Sequence, residues 1–224
     1  MVLRELTTSG IILRIFAALL LGGMIGLERE LKNRPAGLRT YMLVCVGSCL
    51  IMMINQYIYQ VYQTGDPVRM GAQVVSGIGF LGAGTIVVTR RNQIRGLTTA
   101  AGLWAAAAVG LALGIGFFEA ALAGSFSIFA VMSLLQRLDS RMRRNSRFLE
   151  VYFELSAEVS LGDFLKHVRE TGLEVQDIQL DRDSRTDDGC RSYTATLKAQ
   201  EKRKRAELIA QILHFSGIVY LEEL

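Results

Sequence analysis

Five long apolar runs fill the first 136 residues of this chain, and they leave few folds open to it. A helix rising ~1.5 Å per residue needs roughly 20 mainly apolar residues to cross a hydrocarbon core of ~30 Å. Stretches at 10–27, 38–58, 70–89, 97–116 and 117–136 meet that requirement. The turn around Gly114 to Glu119 makes the last two antiparallel neighbours. Half of the 224 residues are hydrophobic and 22 are glycine, more than a water-soluble domain of this size usually carries. Most carboxylates lie after position 149, so the chain is expected to divide between lipid and water. The first run is followed by charged ERELKNR rather than a small-residue cleavage site, and is expected to be a retained span.

Basic residues predict an orientation. Arg29, Lys32, Arg34 and Arg39 follow the first span, and Arg90, Arg91 and Arg95 follow the third. Arg137, Arg141, Arg143, Arg144 and Arg147 follow the fifth, whereas the opposite side carries only Arg4 and Arg69. By the positive-inside rule the N-terminus is expected outside and the C-terminal part in the cytoplasm. Tyr57, Tyr59 and Tyr62 gather at the outer edge of the second span, as interfacial aromatics do.

The segment SGIGFLGAGT (76–85) has the glycine spacing of a dinucleotide-binding fingerprint at Gly77, Gly79 and Gly82. That fingerprint needs a strand before it and a ribose-binding carboxylate about 20 residues on. Here it sits inside an apolar run, and Gly102, Leu103 and Trp104 stand where the carboxylate would be. Close helix packing in lipid explains such small residues better. Ala18, Gly22 and Gly26 form a similar ladder, as do Gly102, Ala106, Gly110 and Gly114. Five glycines between 71 and 84 exceed what one contact needs, so a kinked span lining a cavity stays open as a second reading.

Charge at the cytoplasmic edge is the other candidate for function. Glu28 follows Leu27 at the border of the hydrocarbon. It is either an interfacial helix-end carboxylate or part of a buried ionic cluster with Arg29, Arg39 or Arg95. RPAGLRT (34–40) and IRGLTTAA (94–101) both combine Arg, Gly-Leu and threonine where a span begins. The threonines are candidate caps, and Arg with free helix amides favours an anion or a carboxylate such as Glu28. Arg14, a turn inside the outer end of the first span, is expected to snorkel outward. Asn55, Gln56 and Gln73 are expected to be satisfied interhelical groups. Cys45 and Cys49 share a helix face and are expected to pack, and His167 and His214 stand alone without a metal-ligand spacing. No nucleophile–base pair is visible, and neither enzymatic activity nor a cofactor is expected.

After a basic linker at 137–147, residues 148–224 change periodicity. Strands are predicted at 148–156, 173–181, 191–199 and 218–224, with helices at 160–172, capped by Ser160, and 204–217. The order β-α-β-β-α-β predicts a small ferredoxin-like α+β domain. DRDSRTDDG (181–189) fails as a calcium loop, with Thr186 at the glycine position and Ser192 where the closing Glu belongs, and reads as a hairpin turn. KRKR (202–205) is a solvated face or is attracted to anionic headgroups. It lacks the aromatic interleaving of a nucleic-acid site, and nucleic acid is not an expected partner.

GLERELKNRPAGLRT (26–40), GAQVVSGIGFLGAGTI (71–86) and RGLTTAAGLW (95–104) together resemble the MgtC/SapB family of bacterial inner-membrane proteins. The resemblance implies an α-helical membrane bundle of about five spans (1–136) and a cytoplasmic ACT-like domain (148–224). It also implies a role in growth under magnesium limitation, survival inside host cells for pathogen members, and inhibition of the F-type ATP synthase by some. Motif positions carried over are Glu28, Arg29, Gly37, Arg39, Gly79, Gly82, Gly84, Arg95, Gly96 and Thr98. At Gln93 the chain departs from the Asn expected in pathogen members, although Asn92 lies beside it. Expected partners are the lipid bilayer, other membrane proteins such as the F-type ATP synthase, and a second copy of the chain. The rival reading is a cation transporter or channel using the glycine-rich third span and Glu28.

Overall fold

The first apolar run forms α1 (Thr8–Leu31), begun by Thr7, whose Oγ1 accepts from the Gly10 amide at 3.1 Å. In this computed structural model, which describes residues 6–89, 93–135, 138, 147–181, 190–199 and 205–223, four more helices follow. They are α2 (Leu38–Tyr62), α3 (Arg69–Thr85), α4 (Leu97–Gly114) and α5 (Phe118–Ala130), and a π-helical turn, Val131–Leu135, extends the last. The chain divides into two compact units, Met1–Val87 with Ile94–Arg137 and Val88–Gln93 with Leu138–Leu224.

Among the described residues, four helices are long and apolar enough to cross a membrane: α1, α2, α4 and α5 with its extension. The third expected span, 70–89, is shorter than read. Its helix has 17 residues, ~25 Å at ~1.5 Å each, and ends at Thr85. Residues Ile86 to Thr89 leave it because four consecutive β-branched side chains crowd a helix and suit a strand. Val87–Val88 (β1) pairs with Ile94–Arg95 (β2) in a short hairpin before α4. Arg90, Arg91 and Asn92 lie outside the described residues. The helix itself runs unbroken through all five glycines, so the span is not locally broken there.

Packing in the bundle inverts that of a water-soluble core. Large apolar side chains such as Leu13, Phe16, Leu20, Leu43, Phe80 and Trp104 point outward, while Ala18, Cys45, Cys49 and Ala106 are buried inside. With lipid as the solvent, exposing leucine costs nothing, and backbones gain dispersion energy by close approach. Both ladders meet α2. A Cβ on Gly22 would stand 2.8 Å from Cys45 Cβ, and one on Gly26 would stand 2.8 Å from Leu38 Cα. From the other side, a Cβ on Gly114 would lie 2.6 Å from Met52 Cβ, and one on Gly110 would overlap the Cys45 carbonyl oxygen. Thus α2 is sandwiched between the glycine faces of α1 and α4.

The C-terminal unit carries β3 (Phe148–Leu155), α6 (Leu161–Glu170), β4 (Leu173–Asp181), β5 (Arg191–Ala199), α7 (Arg205–Leu213) and β6 (Ile218–Glu223). Its antiparallel sheet has the order β4-β5-β3-β6, the ferredoxin-like arrangement predicted. Alternate residues Leu149, Val151, Phe153 and Leu155 meet Phe164 and Val168 of α6 and Leu208 and Ile212 of α7 in one core. Phe153 stacks at 4.2 Å on Phe164 and at 5.5 Å on Tyr193. Ser160 caps α6 as expected, accepting from the Asp163 amide at 3.2 Å. The second helix is shorter than read, ending at Leu213, because Phe215 and Ile218 turn back to the Ile212 and Phe215 carbonyls. Most of the basic linker 137–147, all of the 181–189 turn beyond the backbone of Asp181, and residues 202–204 of the KRKR run fall outside the described residues.

Candidate functional site

The C-terminal end of α1 brings the charged motif residues into the bundle. Glu28 is 8% exposed and Arg29 4%, because Gly22 and Gly26 draw this end of α1 against the start of α2. The expected arginine partners of Glu28 are not the ones it finds. Its carboxylate is ion-paired with Lys32, one helical turn on, in the Glu-to-Lys order that suits an i,i+4 pair. Arg29 instead turns to α4, where Nη2 donates to Thr99 Oγ1 at 2.8 Å. Arg39 and Arg95 are exposed on the surface. Adjacent residues on a helix point about 100° apart, so Glu28 and Arg29 face different neighbours.

Tyr41 of α2 completes the cluster. It is fully buried, lies within electrostatic reach of Arg29 and Glu28, and sits so close to α4 that a Cβ on Gly102 would overlap its hydroxyl. Glu28 Oε1 is the oxygen that Lys32 holds, while Glu28 Oε2, Arg29 Nε and the Tyr41 hydroxyl are among the buried polar atoms without a hydrogen-bond partner. Three helices therefore meet at a polar junction holding one carboxylate and two cations.

Neither threonine-containing loop caps its helix as expected. The first residue of α2 is held by Glu30, whose Oε2 accepts from the Leu38 amide at 2.8 Å. Gly37, the cap position, is extended, and a Cβ there would overlap the Glu30 carboxylate. The anticipated helix-start carboxylate is therefore Glu30 rather than Glu28. Before α4, Gly96 has a φ of +98° and no side chain caps the helix. A Cβ on Gly96 would overlap the Thr85 carbonyl oxygen at the end of α3. Thr98 is exposed, while Thr99 is buried under Arg29.

The motif glycines of α3 separate into two classes. A Cβ on Gly82 would touch Ala100 Cβ at 3.4 Å, which is helix packing as read. Gly77, Gly79 and Gly84 have nothing within 4 Å of a Cβ and face outward beside Phe80, which is 84% exposed. At the other end of the bundle Arg14 does not snorkel. It is fully buried, with Nη1 donating to the Gly114 carbonyl at 2.7 Å and to Gln56 Oε1 at 2.8 Å. The C-terminal carbonyls of α4 carry partial negative charge and hold a cation more firmly than headgroup water does. Asn55 donates to the Pro67 carbonyl, whereas Gln73 is exposed. Cys45 and Cys49 are buried and free, as packing predicts.

Lys32, Tyr41, Glu30 and Thr99 were not among the motif residues singled out in the sequence. The Glu28/Lys32 spacing was a readable signal; the position of Tyr41 had none. Among the described residues, no three His, Cys, Asp or Glu side chains gather as a metal-ligand set.

The chain matches the family model described as MgtC family over residues 15–141. It is 37% identical over 164 residues to the "Putative magnesium transporter YhiD" of Escherichia coli K12, covering 71% of this chain and 76% of that protein. It is 34% identical over 179 residues to "Protein SapB" of Bacillus subtilis, covering 76% and 77%. To "Protein MgtC" of Brucella abortus it is 43% identical over 141 residues, covering 60% and 57%. No solved structure matches.

Proposed function

This chain belongs to the MgtC/SapB family of membrane proteins, and on that premise we propose that it is a non-enzymatic modulator of another membrane complex. It sits in the bacterial inner membrane with its C-terminal ACT-like domain in the cytoplasm. There it supports growth under magnesium limitation, with the F-type ATP synthase as a candidate complex and intracellular survival as a further role in a pathogen.

The observation that carries this reading is the charge balance at the junction. Glu28 is already paired with Lys32, and Arg29 adds a second cation beside it. A divalent cation seeks several oxygen ligands, commonly with more than one carboxylate, and would be repelled here. Helix α3, by contrast, carries Gly77 and Gly84 uncovered on one side and Gly79 uncovered on another. Small residues are what membrane helices use to approach one another. The E. coli relative's name favours transport as the second reading, with Glu28 in the pathway.

Purified protein in liposomes separates the two readings. The modulator reading expects no magnesium flux above protein-free vesicles, and co-purification from native membranes of a complex that is lost when Gly79 is replaced by leucine. Magnesium flux that Glu28→Gln abolishes would establish transport instead.

A further inference from the structure

Helix α3 is too short to cross a bilayer by itself. Its 17 residues rise ~25 Å, against ~30 Å of hydrocarbon. The chain stays apolar where the helix stops. Ile86 and Val87 follow in extended conformation and, at ~3.3 Å per residue, add ~7 Å, which brings the run to about the full hydrocarbon thickness. Val87 is 56% exposed, Ile94 on the returning strand 59%, and Leu97 at the start of α4 57%. These residues belong to the same compact unit as the bundle. Their exposure continues that of Phe80 and Leu81 on α3 and of Trp104 on α4, the kind of apolar surface a bundle shows to lipid. At the root of the hairpin, a Cβ on Gly96 would overlap the Thr85 carbonyl oxygen and stand 3.1 Å from Ile86 Cα, so the two strands leave the bundle side by side.

We propose that the hairpin between α3 and α4 is a lipid-binding element, with Ile86, Val87, Ile94 and Leu97 seated among the upper acyl carbons of the leaflet at the C-terminal end of α3. It completes a crossing that the helix leaves unfinished. Two opposed costs set its depth. Moving outward puts aliphatic side chains in water, which is unfavourable in proportion to their area. Moving inward takes the outer N–H and C=O groups of a two-stranded ladder away from water, and hydrocarbon offers them no partner. The boundary between chains and headgroups satisfies both. Arg95, exposed between Ile94 and Leu97, has a stem long enough to reach the headgroups while its neighbours stay in the chains. The occupant is lipid because the hairpin continues the lipid-facing surface of both helices that it joins. This inference does not depend on whether the protein modulates a complex or transports an ion.

The test uses full-length protein in vesicles of phosphatidylcholine and phosphatidylglycerol, in a Trp104→Phe background that removes the native tryptophan. Val87→Trp and Ile94→Trp then each report depth, as quenching by phosphatidylcholine brominated near the headgroup or near the chain end. Shallow bromines should quench about twofold more strongly than deep ones, because interfacial elements bury to ~5–10 Å. Stronger quenching by deep bromines overturns the proposal by placing the hairpin in the hydrocarbon centre. Quenching by aqueous iodide alone overturns it by placing the hairpin in water, and quenching by neither does so by showing a protein cover. The unmodified protein gives an independent reading that needs no folded variant. A phospholipid with a diazirine on its upper acyl carbons should form photoadducts on the peptides holding Val87 and Ile94. Adducts on α1 and α2 with none on these peptides overturn the proposal.

Discussion

Two glycines from the matched motifs should respond to alanine with opposite signs. Gly96 has a φ of +98°, and its Cβ would overlap a backbone carbonyl oxygen at Thr85, which no rotamer change can move. The left-handed conformation alone costs a non-glycine residue about 1–2 kcal/mol. Displacing the end of α3 adds to that, so Gly96→Ala should lose at least ~2 kcal/mol. Gly79 lies mid-helix in α3 with nothing within 4 Å of a Cβ. Alanine there removes the conformational cost of glycine and should add about 0.5–1 kcal/mol. For a chain of this size each kcal/mol shifts the midpoint by about 2–4 °C. The midpoint should therefore fall by about 4–8 °C in Gly96→Ala and rise by about 1–4 °C in Gly79→Ala. Membrane proteins often unfold irreversibly, so the variants should be ranked at one heating rate, by the fraction left monodisperse on detergent gel filtration. Gly96→Ala as stable as wild type, or Gly79→Ala less stable, would refute the assignment of these two environments. If the α3 face docks on a partner, Gly79→Ala should also weaken co-purification while stabilising the isolated protein.

The remaining predictions concern the polar contacts. Lys32→Met strands the Glu28 charge and should cost roughly 1–3 kcal/mol, discounted because Lys32 is 31% exposed, with most of the loss recovered in the double variant with Glu28→Gln; an additive double variant would count against the pair. Glu30→Ala removes the carboxylate on the α2 start and should cost about 0.5–2 kcal/mol in detergent stability, where a change under that range would show the Leu38 contact to be idle. Arg14→Met leaves Gln56 Oε1 and the Gly114 carbonyl without this donor and should lower stability by about 1–3 kcal/mol, measured beside Arg69→Met as a control outside the bundle core. In the C-terminal unit, Phe164→Ala removes the ring stacked on Phe153 and should cost about 3–5 kcal/mol, read as proteolytic release of that part of the chain.

What the sequence determined by itself was whatever depends on local composition. A run of apolar residues long enough for the bilayer is a property of one segment, as is a period of two or of 3.6 residues. The four long spans, the glycine ladders of α1 and α4, the Ser160 cap and the β-α-β-β-α-β order were legible for that reason. The third span was overread because hydropathy cannot distinguish the last apolar helix residues from β-branched residues that leave the helix for a hairpin. The candidate site was legible as a set of residues and not as a set of contacts. Glu28 was open to two readings, an interfacial carboxylate or a member of an ionic cluster with Arg29, Arg39 or Arg95; both Glu28 and Arg29 are buried, but one pairs with Lys32 and the other with Thr99. Gly82 and Gly79 belong to one motif, yet one touches Ala100 and the other faces outward. Arg14 is the same distance from the end of its run whether it turns out to headgroups or in to Gly114. These outcomes depend on the rotation of each helix about its axis, which is set where α1, α2 and α4 lock together through residues far apart in the chain. Only the tertiary structure decides that rotation, because a partner's position fixes which side of a helix is inside.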